Sequence, residues 1–317
     1  DARAESFANT HGLQAQSIAS LLHNDALDII INLTIPAAHA EVSRQIIDAG
    51  KHVYLEKPLA LNRDDGLKVL QDAQENGVRV GCAPDTFLGA GGQTCRDVID
   101  RGDIGQPVAA TAFMVGHGHE SWHPNPAFYY QQGGGPLFDM GPYYLTALVN
   151  LLGAMESVSA MTKRGFSERI AEHENVKGQV IPVQVDTHCA GNIRFANGTI
   201  ATMIMSFDVW QHQLPVIEIY GTEGTLIVPD PNTFGGDVML WQKSNPSWQK
   251  VEPITQDTLQ RGAGVADMAR AITTGTAHRV NGELAYHVLD AMQAFGESST
   301  AGRHITLKSE VTRPPAV

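Results

Sequence analysis

The first third of the chain alternates two hydrophobic rhythms, one with the period of a helix and one almost continuously apolar. Residues 2–11 (ARAESFANTH) and 17–22 (SIASLL) read as helices, the first closed by Gly12. DIIINL, from Asp28 to Leu33, is the nearly unbroken apolar run that a parallel strand shows when both its faces are covered. Pro36 suits the first position of the following helix, which runs through AAHAEVSRQIIDAG to Gly50. HVYLEKP supplies the next strand, Asp64 to Asn76 the next helix, closed by Gly77, and VRVGC a third short strand. The order is βαβαβ, which predicts a parallel sheet between layers of helix.

From Pro107 the texture changes. VAATAFMVGHG, THCAGNIRF, GTIATMIMSF, VIEIYG and GTLIVP read as strands, with turn signals at Asn197-Gly198 and Glu223-Gly224. Their short spacing predicts antiparallel pairing. Pro142 to Leu152 reads as a helix preceded by three consecutive glycines, and Gly264 to Thr274 and Glu283 to Ala301 as two more. The expectation is an α/β protein of two domains: a parallel-sheet domain over 1–107, and over 108–317 a domain built on a large, mostly antiparallel open sheet.

At 317 residues and 43% apolar content, the chain can bury a sizeable core, and its length favours two domains. Its 34 acidic against 22 basic side chains give a formal charge of -12, which argues against nucleic acid and anionic membranes as partners. Cys82, Cys95 and Cys189 are scattered without CxxC spacing, which fits a reducing, cytoplasmic compartment. No run reaches the roughly 18 to 20 apolar residues of a spanning helix, and the opening DARAESFANTHG is not signal-like.

In parallel α/β sheets, ligands bind beyond the carboxyl ends of the strands. Asn32, Thr34, Pro36 and His39 follow the first strand, and Glu56, Lys57 and Pro58 the second, making these seven the candidate cofactor contacts. A lysine ending an apolar strand is seldom buried without a partner, although a solvated strand end is the plainer alternative. Gly133 to Gly135 lack the spacings of a phosphate cradle and do not follow a predicted strand. His117, His119 and His123 crowd one loop, but no cysteine or HExxH spacing accompanies them, and no metal site is expected. Trp122 and His123 on that loop are candidates for stacking on and hydrogen bonding to a substrate, with ordinary loop packing the alternative. His188 could face the same cleft or be a satisfied strand histidine.

YLEKPLA following NLTIPAAH, then GGGPLFDMGPYY, together with IDRGDIGQP and IEIYGTEGTLIV, resemble the glucose-fructose oxidoreductase, inositol dehydrogenase and rhizopine-catabolism dehydrogenase family. The resemblance implies a Rossmann-type domain, a second α/β domain whose open sheet often joins subunits into a homodimer or homotetramer, and an active site between the two. It implies NAD or NADP as cofactor and a sugar, cyclitol or polyol as substrate. The family's first strand and glycine-rich turn would precede residue 1, leaving Asp1 beside the position that selects between the cofactors, and the choice between them open. In the family the lysine of EKP acts with an aspartate and a histidine of GGxxxDxGxH. By position these are Lys57, Asp139 and, in the histidine's place, Tyr143. A phenol titrates near 10 and an imidazole near 6.5, so the expectation is that Lys57 draws Tyr143 down towards a useful base. Helix packing for Tyr143 and an N-terminal cap for Asp139 are the alternatives, and Tyr144 is a further substrate candidate. An NAD-dependent glycosidase or lyase and a non-catalytic sugar sensor also remain open, since both occur on this fold.

Overall fold

The computed structural model describes residues 2–317, so Asp1 lies outside the described residues. Helices α1 (Ala2–His11) and α2 (Ile18–Leu22) lead into strand β1 (Ile29–Asn32). A tight 3₁₀ turn at Pro36–Ala38 precedes α3 (His39–Asp48), so the helix begins three residues later than its proline suggests. β2 (His52–Leu55), α4 (Arg63–Glu75) and β3 (Val80–Cys82) complete a three-stranded sheet of order β1-β2-β3, parallel throughout. β2 is buried through Val53, Tyr54 and Leu55. β1 differs from the expected doubly covered strand, because it forms the sheet edge and leaves Ile31 48% exposed.

Helix α5 (Ala90–Asp100) joins this layer to β4 (Pro107–Val115), followed by α6 (Gly135–Asp139), α7 (Gly141–Leu152), β5 (Met155–Lys163) and the small hairpin β6 (Glu168–Ile170) and β7 (Val180–Pro182). Strands β8 (His188–Phe195), β9 (Ile200–Ser206), β10 (Ile217–Gly221), β11 (Gly224–Val228), β12 (Val238–Gln242) and β13 (Asn245–Val251) come next. The chain ends in α8 (Ala263–Thr274), α9 (Gly282–Ala301) and β14 (Ile305–Thr306). The second sheet has nine strands, β13-β12-β11-β10-β4-β9-β8-β5-β14, antiparallel except at β4 and β9. Asn197-Gly198 turns β8 into β9, with Gly198 at φ 89, where a side chain would be strained. Every residue of α7 is buried, as expected of a helix apolar on all sides, because α5, α6 and α9 pack against it within the main core.

The carboxyl-terminal helices return to the first layer. Cys82 N donates to Val280 O, Gly81 bridges Asn281, and Leu289 of α9 lies against Gly66 of α4. A buried polar chain holds the last strap of sequence: Asp290 accepts from Arg63 Nε, Lys308 N, Ser309 N and Ser309 Oγ. His287 donates from Nδ1 to Ser309 Oγ at 2.7 Å and accepts at Nε2 from Met155 N at 2.9 Å.

Because Nε2 must stay unprotonated to accept, and burial opposes charge, the His287 imidazole is held down to about 4. The unfolded chain binds that proton near 6.5, so stability from this site is complete above about pH 6.5 and is lost as pH falls towards 4. The loss is on the order of 3 kcal/mol. His278, lowered chiefly by burial, acts in the same direction. Urea unfolding is expected to show the midpoint dropping between about pH 7 and pH 5, and His287→Gln to flatten that drop. A variant as pH-sensitive as the parent would exclude His287 as the cause.

Candidate functional site

Lys57 leaves β2 in the loop between the two sheets, and its side chain crosses to α6. Nζ donates to Asp139 O at 2.6 Å and to Asp139 Oδ1 at 2.8 Å, with the two side chains 17% and 14% exposed. The carboxylate does not cap a helix: Asp139 ends α6, and the cap residue of α7, Met140, makes no side-chain capping bond. Its other oxygen, Oδ2, stands 3.4 Å from His119 Nε2. One carboxylate thus faces a lysine from the first layer and a histidine from the loop after β4.

The glycine triplet brings Asp139 to this point by backbone proximity. A Cβ on Gly134 would sit 2.5 Å from Tyr129 O and 2.6 Å from Phe128 O, so no other residue fits. The same segment walls a cleft of about 380 Å³. Thr34, Ile35, Pro36, Lys57 and Pro58 form one side; Asn125, Phe128, Tyr129, Gln131 and Asp139 stand opposite.

The other candidates divide. Thr34, Pro36, Lys57 and Pro58 line the cleft. Asn32 spends all its hydrogen-bonding groups inside the protein, donating to His39 O and Ser43 Oγ and accepting from Thr34 N and Oγ1. His39 is buried with Nδ1 2.7 Å from Pro58 O and Nε2 2.9 Å from Thr34 O, so it ties the two strand-end loops together. Glu56 accepts from Lys57 N. Trp122 is 58% exposed and edges towards His119 and His123, whose Nδ1 accepts from Asn125 N. His188 binds Ser206 Oγ on the neighbouring strand, and Tyr144 is buried in the main core; neither lines this cleft.

At Tyr143 burial and two nearby cations oppose each other. Lys57 Nζ lies 5.4 Å over its ring, and Arg261 5.2 Å from the ring centre. Burial raises the phenol above its ordinary value, and the lowering effects of Lys57 and Arg261 do not offset it. The lysine's charge is spent on Asp139 and approaches the face of the ring, while the buried oxygen pays the desolvation cost of ionising.

The three histidines crowded on this loop diverge. His117 stacks on Trp210, His123 binds Asn125 N, and His119 stacks on Tyr129 at 3.8 Å. Among the described residues no three His, Cys, Asp or Glu side chains gather to hold a metal, and no helix is long and apolar enough to cross a membrane. Burial lowers the His119 imidazole, and Asp139 only partly restores it. No local signal marks His119, because its partner lies 20 positions away in sequence.

A parallel sheet ending in a lysine, clasped by a carboxylate from beside a large open sheet, defines a Rossmann-type α/β protein with a second sheet domain. The profile of the oxidoreductase family with an NAD-binding Rossmann fold matches residues 1–83, and that of the GFO/IDH/MocA C-terminal domain matches 93–227. The chain belongs to the GFO/IDH/MocA family. It is 28% identical over 232 residues to 1,5-anhydro-D-fructose reductase of Ensifer adhaerens, covering 71% of this chain and just under two thirds, 64%, of that relative. To D-xylose 1-dehydrogenase (NADP(+)) 2 of Haloferax volcanii it is 25% identical, covering 97% of this chain and 89% of the relative. Levoglucosan dehydrogenase, solved with NADH and L-sorbose, superposes with a TM-score of 0.83 at 19% identity, over 98% of this chain and 88% of that one.

If Tyr143 stays a neutral phenol, the near-ultraviolet titration of the parent minus that of Tyr143→Phe shows no phenolate step below about pH 10. A step near neutrality would show that the pull of Lys57 and Arg261 prevails over burial.

Proposed function

We propose that the chain is an NAD- or NADP-dependent oxidoreductase that moves hydride between the nicotinamide and a secondary alcohol or ketone of a sugar, cyclitol or polyol. The observation that carries this reading is the Lys57–Asp139 pair in the wall of the cleft, where a lysine from the parallel sheet meets a carboxylate from the second half. The sugar-acting relatives support the substrate class.

The cleft fits a dinucleotide. Leu33 and Ile35, 72% and 69% exposed at the carboxyl end of β1, present apolar surface that a flat base or ribose would cover. Thr34, Ile35, Pro36 and Pro58 would line its path. When bound, the nicotinamide supplies the hydride acceptor or donor. The chain's own groups hold the other reactant. Two of the three Lys57 N–H donors are engaged by Asp139; the third is free to meet the substrate oxygen, where positive charge stabilises the alkoxide that develops as the C–H bond breaks. Asp139 keeps that ammonium aimed. Phe128 and Tyr129 would meet the sugar with their rings, Asn125 and Gln131 would hydrogen-bond to its hydroxyls, and Trp122 and His123, on the adjoining loop outside the cleft lining, are further candidates for its contacts. Residues 1–107 carry the cofactor and 108–317 the substrate. The outward face of the nine-stranded sheet, with Met161 80% exposed on β5 and Ile200 46% exposed on β9, suits pairing with a second copy into a homodimer or homotetramer.

The test is near-ultraviolet absorbance of reduced nicotinamide during incubation with NAD or NADP and D-xylose, levoglucosan, myo-inositol and related polyols. Net reduction with at least one of them is expected, and Lys57→Ala should lower kcat by about 10²–10³. Bond cleavage in a glycoside without net reduction would favour the glycosidase reading, and unchanged turnover in Lys57→Ala would remove the mechanism. Sedimentation equilibrium should give a mass of two or four chains, and Met161→Glu should shift it towards one.

A further inference from the structure

The aromatic wall of the cleft continues past its edge. We propose that Trp122 is the platform of a second sugar subsite, so that the substrate is an uncharged glycoside of at least two rings, the outer one stacked on the indole. This rests on the hydride-transfer reading above.

Five rings form one packed circuit along this wall. Phe128 and Tyr129, which line the cleft, lie 4.0 Å apart, and His119 stacks on Tyr129 at 3.8 Å. Phe128 meets His123 at 5.5 Å, His123 meets Trp122 at 5.4 Å, and Trp122 meets His119 at 5.2 Å, closing the ring of contacts. Trp122 itself stands outside the cleft lining, two ring contacts from Phe128. A sugar held against Phe128 can therefore carry its neighbour onto the indole without leaving aromatic surface.

The indole is ordered but uncovered. Trp122 is 58% exposed although two rings hold one side of it. Its loop is fixed: Trp122 N and His123 N both donate to His119 O, Asn125 N donates to His123 Nδ1, and buried Glu120 accepts from Arg169 Nη1. Lost side-chain freedom is the usual cost of covering a surface residue, and here packing has already removed much of that freedom. A flat indole with one polar N–H also suits a pyranose, which presents C–H groups on its face and hydroxyls at its edge.

The polar groups beside the rings are neutral. Asn125, Gln131 and Gln132 line the cleft, and their amides make no hydrogen bond to protein among the described residues. His123 accepts at Nδ1, which places the proton of the neutral ring on Nε2, and neither that N–H nor Trp122 Nε1–H has a partner among the described residues. From His117 to Gln132 the sequence holds no Lys or Arg, and its one carboxylate, Glu120, is engaged by Arg169. In the cleft, Lys57 and Asp139 neutralise each other. A carboxylate or phosphate on the outer ring would lose water with no cation to replace it, whereas hydroxyls find both donors and acceptors.

The experiment compares glucose with cellobiose, galactose with lactose and xylose with xylobiose, by reduced-nicotinamide absorbance. For at least one pair the KM of the disaccharide should be lower by about tenfold. Trp122→Ala should cut that advantage to about twofold or less, mainly through KM, and Trp122→Phe, which keeps a ring, should restore part of it. Trp210→Ala, which alters an exposed indole outside the circuit, should leave the advantage intact. An aldobiouronic acid, with a carboxylate on its outer ring, should lack the advantage, and its retention would overturn the assignment to an uncharged ligand. An advantage absent from every pair, or surviving Trp122→Ala, would overturn the platform; so would a fall in sedimentation mass in that variant, which would make Trp122 a contact between copies. Binding is read without turnover from the indole N–H signals of protein labelled with ¹⁵N in its tryptophans, the Trp122 signal assigned by Trp122→Phe. Cellobiose, lactose or xylobiose should shift that signal more than the matching monosaccharide. Such a shift with no sugar turned over means that the hydride-transfer reading fails and the platform stands, and no shift from any of them means that the platform fails.

Discussion

The site depends on one contact across the protein, between Lys57 at the end of a parallel strand and Asp139 at the end of α6. Neither charge is well solvated, and a lysine so placed would be costly without a partner. The pair therefore fixes the lysine loop of the first layer against the glycine turn of the second. The cleft is the space left beside that joint, and its walls come from both halves because the joint does.

Two further sets of interactions keep the joint in register. On one side, Asn32 and His39 use their polar groups to bind the loops after β1 and β2 to each other, so Thr34 and Pro58 are presented as a fixed wall. On the other, the Glu120–Arg169–Asp208 cluster anchors the loop bearing His119. Breaking a buried pair of this kind by removing one partner typically costs about 3–5 kcal/mol, because a charge is left uncompensated. Internal hydrogen bonds and ion pairs thereby set where the groups lining the cleft stand.

Much of the architecture was legible along the chain. The apolar runs at Ile29–Asn32 and His52–Leu55, the closing glycines Gly50 and Gly77, and the Asn197-Gly198 turn each act through local backbone preference, so their effects are read without knowing the partners. Helix α5 was not legible. Gly91 and Gly92 weaken its helical signal. They stand there because a Cβ on Gly91 would lie 2.6 Å from Gly235 O, about 140 residues further along. Strand β5, MESVSAMTK, likewise carries too little alternation to announce itself, and is set by its long ladder with β8.

The sequence by itself determined the two-sheet class, the positions of Lys57 and Asp139 at element ends, and the substitution of tyrosine for histidine at position 143, since each is a matter of residue type and neighbouring spacing. Tertiary structure decided which groups face one another and at what electrostatic cost. It buried Tyr143 deeply enough that two nearby cations do not bring its phenol down. It turned His188 onto its neighbouring strand and Tyr144 into the core. From a loop 20 positions away it brought the His119 imidazole to the second oxygen of Asp139. Burial and charge proximity are sums over atoms distant in sequence, and only the packed chain supplies their terms.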